Sequence, residues 1–214
     1  MKNKKTIIWD WNGTLLNDAA ICVSSINQLL RHRNLSEISL DYYRQVFTFP
    51  VIDYYRAVGF DFENEPFEKP AMDFIELYHR LLPKALLFKE VEPILSHFSG
   101  LSFRHTILSA MEQGSLNASL KLNKIDHFFD YVFGINDHFA NGKIDMGRAL
   151  IRQLNQPLNE LVLIGDTLHD KEVAGYLGID VVLIANGHQS KGRLESSGNQ
   201  VIDSLNQLVN LTLI

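Results

Sequence analysis

The stretch IIWDWNGTLLND, from Ile7 to Asp18, decides how the chain folds. With Thr6 it begins as a short apolar run, Thr6 to Trp9, which stops at Asp10 in a cluster of small polar residues, Asn12, Gly13 and Thr14. A continuous apolar run, rather than an alternating one, suits a strand covered on both faces, the usual situation in a parallel sheet. A carboxylate just beyond such a strand stands where open α/β sheets bind their ligands.

Working outward, four more runs have the same character: HTILS (His105 to Ser109), DYVFG (Asp130 to Gly134), LVLIG (Leu161 to Gly165) and DVVLI (Asp180 to Ile184). Each is followed by a helical pattern, and strands alternating with helices predict an α/β fold with a doubly wound, Rossmann-like parallel sheet. Residues Asn17 to Leu86 differ. They hold no convincing strand and show helical spacing at Ile21, Ile26, Leu29 and Leu30, then at Phe74, Leu77, Tyr78 and Leu81. The division expected is therefore a catalytic core of residues 1–16 and 87–214, with a small helical domain of residues 17–86 inserted after the first strand. FDFENEPFEKP (Phe60 to Pro70) is its most loop-like part, and a helix from Val91 to Ser99 should return the chain to the sheet.

Composition narrows the class. The chain has 214 residues, 46% hydrophobic and 21% charged, enough for a sizeable core without disordered bulk. A net charge of −5 gives no general attraction to nucleic acid or anionic membrane, so an anionic ligand needs a local site. The basic start MKNKK is followed by an apolar run that Asp10 interrupts before a signal segment forms, and no window approaches a membrane span. A lone cysteine, Cys22, suits a reducing compartment and core filling, and a cytoplasmic location is expected. A monomer or a weak homodimer is expected.

Chemistry gathers at the strand ends: Asp10 and Asn12 after the first run, Ser109 after the second, and Asp166, Thr167 and Asp170 after LVLIG. Lys143 follows Gly142 where a helix should begin on the same side. Carboxylates, a hydroxyl and an ammonium suit phosphoryl chemistry, because a phosphate dianion needs cationic cover before a carboxylate can approach it. Asp10 and Asp166 are oxygen ligands for a hard cation such as Mg²⁺. Asp10 is then placed to attack phosphorus, with Lys143, Ser109 and the main chain of the Gly13 turn on the remaining oxygens.

The segments DWNGTLL, ILSA, GK and GDTLHD resemble, in order and spacing, the four motifs of the haloacid dehalogenase superfamily, on its phosphoglycolate-phosphatase-like branch. The resemblance implies a Mg²⁺-dependent phosphohydrolase for a small phosphorylated metabolite, with residues 17–86 as the cap that selects it. It implies Asp10 as nucleophile, Asp10, the Asn12 carbonyl and Asp166 as metal ligands, and Trp11, Asn12, Ser109, Ala110 and Lys143 around the phosphoryl group. Asp170 and Thr14 support these groups, and Arg56, in the aromatic stretch FTFPVIDYYR, is a candidate for a substrate anion.

Asn12 departs from the family pattern, which has an aspartate there as general acid and base. An amide has no proton to exchange near neutral pH. Losing acid–base help worth ~10²- to 10⁴-fold should weigh most on esters with strongly basic leaving groups. His169, inside the fourth motif, or a residue of the insertion is the candidate replacement, although a supporting or surface place for His169 is the simpler expectation. The loop Ala185 to Arg193 carries His188, Lys191 and Arg193, and an exposed polar loop is its default.

Other functions compete. DWNGT also resembles the phosphonoacetaldehyde hydrolase pattern, whose chemistry needs a lysine in the insertion, where Lys69 and Lys84 stand outside an evident site loop. A member weakened by Asn12 that binds a phosphorylated ligand without turning it over is the non-enzymatic alternative. A calcium loop starting at Asp10 is excluded, since its twelfth position is Ile21 rather than glutamate.

Overall fold

The computed structural model describes residues 3–135 and 142–212. Met1 and Lys2 of the basic start, and Asn141 beside the Gly142–Lys143 pair, lie outside the described residues.

In chain order, β1 (Thr6–Trp9) is followed by β2 (Leu16–Asn17) and then by α1 (Ala19–His32), α2 (Leu40–Val46), α3 (Val51–Ala57) and α4 (Glu68–Leu81). β3 (Leu86–Leu87) brings the chain back, pairing antiparallel with β2 so that the excursion leaves and returns side by side. Next come α5 (Val91–Gly100), β4 (Arg104–Glu112), α6 (Gln113–Leu122), β5 (Tyr131–Ile135), α7 (Lys143–Leu154) and β6 (Leu161–Gly165). The described chain closes with α8 (Leu168–Leu177), β7 (Asp180–Ile184), α9 (Lys191–Glu195), β8 (Gln200–Ile202) and α10 (Gln207–Thr212).

The main sheet has six strands in the order β5-β4-β1-β6-β7-β8. Every neighbouring pair in it is parallel. This is the doubly wound α/β architecture the sequence predicts, and β1 and β6 meet where the winding reverses. Three of the five expected strands keep their bounds, while DYVFG starts and ends one residue later, at Tyr131 and Ile135. β4 extends past Ser109 to Glu112 through a shift of register between Leu108 and Glu112. β8 was not expected from sequence. It has three residues at the sheet edge, too few for a periodic signal. Asn17 and Leu86, expected in strand-free sequence, each sit in the two-residue β2–β3 ladder.

Side chains alternate across β1. Ile7 and Trp9 enter one apolar layer with Leu95, Phe98 and Leu116. Ile8 enters the opposite layer with Leu108, Leu150, Leu163 and Val173. Both faces of β1 are thus covered, which fixes the position of Asp10 beyond its end. The helices between β2 and β3 have an apolar cluster of their own, built on Ile26, Leu29, Leu30, Tyr43, Tyr54 and Tyr55. Among the described residues no helix is long and apolar enough to cross a membrane.

Ile8 is fully buried at the middle of this arrangement. Ile8→Ala is expected to lower unfolding free energy by about 2–5 kcal/mol, the cost of removing buried methyl groups and leaving a void. Urea unfolding measures it, and a loss below about 1 kcal/mol contradicts the two-sided packing of β1.

Candidate active site

Asp10 follows β1 directly and Asp166 follows β6 directly, so two strands adjacent in the sheet deliver their carboxylates to one place. The Asp10 main-chain N–H donates to the Ile164 carbonyl at 2.9 Å, which carries the strand pairing one residue further. Lys143, the first residue of α7, extends Nζ between two carboxylates, 2.6 Å from Asp10 Oδ1 and 2.7 Å from Asp170 Oδ1. The other Asp170 oxygen accepts from the Thr167 main chain at 3.0 Å and from its hydroxyl at 2.7 Å, the reciprocal cap that starts α8. The Thr14 hydroxyl lies 3.1 Å from Asp166 Oδ1 and 3.3 Å from Asp10 Oδ2.

All four charged groups are buried: Asp10 is 6% exposed, Lys143 3%, Asp170 1% and Asp166 0%. Oxygens of Asp10, Asp166 and Asp170 lie within 4.8 Å of one another. Among the described residues, Lys143 pairs with two of these three carboxylates, Asp10 and Asp170. Burial, with repulsion from Asp170 and Asp166, pushes Asp10 up to about 8 against the pull of Lys143. Burial also raises Asp166. Asp170 is held below the usual range, because attraction and hydrogen bonding from Lys143 outweigh its burial. A hard divalent cation fits this donor set: it needs oxygen ligands and matches the charge left over.

Two glycines allow the close approach. Gly13 has φ +73°, and a Cβ there would run into Asp166 and His188. A Cβ on Gly187 would meet Asp166 and the Gly13 carbonyl.

Of the other expected residues, Asn12, Ser109, Ala110, Lys143, Asp166 and Asp170 all line one cavity with Asp10, about 220 Å³ in volume. Ser109 Oγ accepts from the Met111 N–H at 3.1 Å. The Trp11 indole is instead fully buried in the apolar layer, and its carbonyl accepts from the N–H groups of Thr14, Leu15 and Leu16. Any part Trp11 takes at the site is therefore a main-chain one. Arg56 stands outside the cavity: it is exposed, paired with Asp53 at 2.9 Å and set over the Phe62 ring. Lys69 and Lys84 are exposed and outside it too. His169 does line it, its ring stacked on Phe49 at 4.6 Å.

Asn12 is held in a network not foreseen from sequence. Its Nδ2 donates to Asp18 Oδ2 at 2.9 Å and to the Tyr78 hydroxyl at 2.7 Å, and Tyr78 donates to the same Asp18 oxygen at 2.7 Å. The other Asp18 oxygen accepts from Gly13 N–H at 2.9 Å and lies 3.2 Å from His188 Nε2. His188 Nδ1 meets the Tyr43 hydroxyl at 2.8 Å, and the His188 N–H donates to Asp166 Oδ2 at 2.6 Å. Burial would discharge His188, but Asp18 outweighs it and raises the imidazole to about 9. Asp18 is lowered in turn: burial raises it, and His188, Tyr78 and Asn12 overcome that. His188, expected on an exposed loop, is 5% exposed. Asp18 closes the opening motif and His188 follows Gly187 in a polar loop, signals too common to single out either.

The insertion is also stitched to this loop. Arg44 donates to the Gly187 and Asn186 carbonyls at 2.9 and 3.0 Å. In return Gln189 and Arg193 donate to the Phe47 carbonyl at 3.0 and 2.6 Å, and Ser190 N–H to the Arg44 carbonyl at 3.0 Å.

With this geometry in hand, one comparison decides the family: residues 7–184 match the model of the haloacid dehalogenase-like hydrolases. The chain belongs to that family. "Pyrophosphatase PpaX" of Anoxybacillus flavithermus is 25% identical over 170 residues, covering 78% of this chain and 77% of that one. "Tyrosine-protein kinase PtkA" of Mycobacterium tuberculosis is 23% identical over 203 residues, covering 94% and 69%. A haloacid dehalogenase-like family hydrolase of Streptococcus pneumoniae shares the fold, with a TM-score of 0.84 at 19% identity over 99% of both chains.

The raised Asp10 and Asp166 give a pH test. Their protons are held more tightly folded than unfolded, so without metal these two groups erode stability as pH rises from the ordinary carboxylate range toward about 8. A metal competes with those protons. Mg²⁺ is therefore expected to raise Tm more at about pH 8 than at about pH 5. Scanning fluorimetry reads the difference, and an equal shift at both pH values, or none, counts against a cation among these carboxylates.

Proposed function

We propose that this chain is a Mg²⁺-dependent phosphatase that hydrolyses a small phosphorylated metabolite through an aspartyl phosphate on Asp10, with residues 17–86 as its cap and the cytoplasm as its place of action. The observation that carries the reading is Asp10 itself: buried at the cavity floor, with one oxygen on Lys143 and the other beside Thr14. Two relatives carry names of phosphoryl enzymes, a pyrophosphatase and a tyrosine-protein kinase. That is in keeping with the proposal.

Asp10, Asp166 and the Asn12 carbonyl would hold Mg²⁺, which when bound neutralises phosphoryl charge and draws the substrate oxygen toward the nucleophile. Lys143 and Ser109 hold other phosphoryl oxygens, and Asp170 keeps the ammonium in place. An Asp10 oxygen attacks phosphorus, the bond from phosphorus to the leaving oxygen breaks, and that oxygen departs with the electron pair. Water then attacks the aspartyl phosphate at phosphorus, releasing phosphate and restoring the carboxylate.

Asn12 cannot donate the departing proton, and its amide hydrogens are committed to Asp18 and Tyr78. Leaving groups that are stable as anions are thus favoured. The phosphonoacetaldehyde reading loses support, because Lys143 is the only lysine lining the cavity among the described residues.

A Mg²⁺-dependent screen of acyl, aryl and alkyl phosphates tests the proposal, with Asp10→Asn as the blank. Turnover of at least one ester that Asp10→Asn abolishes is expected. Vanadate binding with no turnover across the panel would instead favour a non-catalytic receptor.

Asn12→Asp should raise kcat on an alkyl phosphate by at least about tenfold, a fraction of the ~10²- to 10⁴-fold that acid–base help supplies. It should lower Tm as well, since a second carboxylate would face Asp18 across 2.9 Å. Unchanged alkyl turnover in a folded variant would show that another group supplies the proton.

A further inference from the structure

We infer that the substrate is an aryl phosphate: a phenol-type leaving group whose ring bears no charge. This rests on the phosphatase reading and deepens it. Above the carboxylates the cavity wall is aromatic, with Phe47, Phe49 and Tyr54 on one part of the insertion and Phe74 and Tyr78 on α4. Phe74 and Tyr78 stack nearly parallel, 11° apart with centroids 5.9 Å apart, and Phe49 stacks on His169. Such walls favour a flat apolar ring, through burial and offset or edge contacts.

The charges agree. Apart from Lys143, no described lysine or arginine lines the cavity, and the His188 charge is matched by Asp18. Glu112 does line it, its carboxylate accepting from the N–H groups of Gly114 and Ser115 at the start of α6. A carboxylate on the leaving group, as in a phosphorylated hydroxy acid, would therefore find no lysine or arginine of its own among the described residues. The spare hydrogen-bonding capacity is uncharged: among the described residues, the Tyr54 hydroxyl and His169 Nε2 are buried without hydrogen-bond partners. They suit a neutral polar substituent on the ring.

The leaving group also fits Asn12. A phenol, with a pKa of about 10, departs as its anion far more readily than an alkoxide, whose conjugate acid lies nearer the ~16 of water. An enzyme without the acid at position 12 loses less on such an ester than on an alkyl one.

The test uses the wild-type chain with Mg²⁺ and three phosphonates, whose P–C bond is not cleaved by this chemistry: phenylphosphonate, propylphosphonate and phosphonoacetate. Calorimetry is expected to find phenylphosphonate at least tenfold tighter than either of the others. Phe74→Leu should shrink that ratio at least threefold, and because it compares ligands on one variant it is insensitive to partial loss of fold. Equal or tighter binding of phosphonoacetate or propylphosphonate overturns the inference. If acetyl phosphate is hydrolysed or vanadate binds while phenylphosphonate shows no advantage, the aryl assignment alone falls. If none of these ligands binds and no ester is hydrolysed, the phosphatase reading falls and takes the aryl assignment with it.

Discussion

Three buried carboxylates gathered at one place, two of them on the Lys143 ammonium, set the terms for everything else in this molecule. Charges of one sign resist being brought together out of water, and the chain overcomes that resistance with rigid supports on each of them. Asp10 and Asp166 are fixed by neighbouring strands packed on both faces, Asp170 by the cap of α8, and Lys143 by the first turn of α7. The site therefore depends on the sheet order, because only at β1 and β6 do two strand ends lie side by side where the winding reverses.

A second charged pair lies against the first. Asp18 and His188 largely satisfy each other, and the pair accepts or donates hydrogen bonds to Asn12, Tyr78, Tyr43 and Asp166. This gives a physical reason for an amide at position 12. With Asp18 already ionised and committed, a neutral donor costs less there than another anion would. The same contact joins α4 to the end of β1, so the residue that departs from the family pattern also ties the insertion to the core.

Much of this was legible in sequence because it rests on short-range pattern. Continuous apolar runs gave the central strands, and polar residues at their ends gave Asp10, Ser109, Asp166 and Asp170. What the sequence could not display is which distant groups meet. Asp18 and His188 are 170 residues apart in numbering, and nothing local sets His188 apart from other loop histidines. Arg56 shows the converse: a cation in an aromatic stretch suggested a ligand, but α3 turns its charge toward Asp53 and solvent. The three-residue β8 escaped because it is too short to carry a period.

The stitches between α2 and the loop after β7 have an evolutionary consequence. Their acceptors are main-chain carbonyls, those of Arg44 and Phe47 on one side and of Asn186 and Gly187 on the other. These hydrogen bonds need no particular side chain at 47 or 49, whose rings add only packing, on His188 and on His169. Drift at those two positions could reshape what the enzyme recognises while its two halves stay fastened, which is one way a lineage acquires new preferences without passing through an unfastened ancestor.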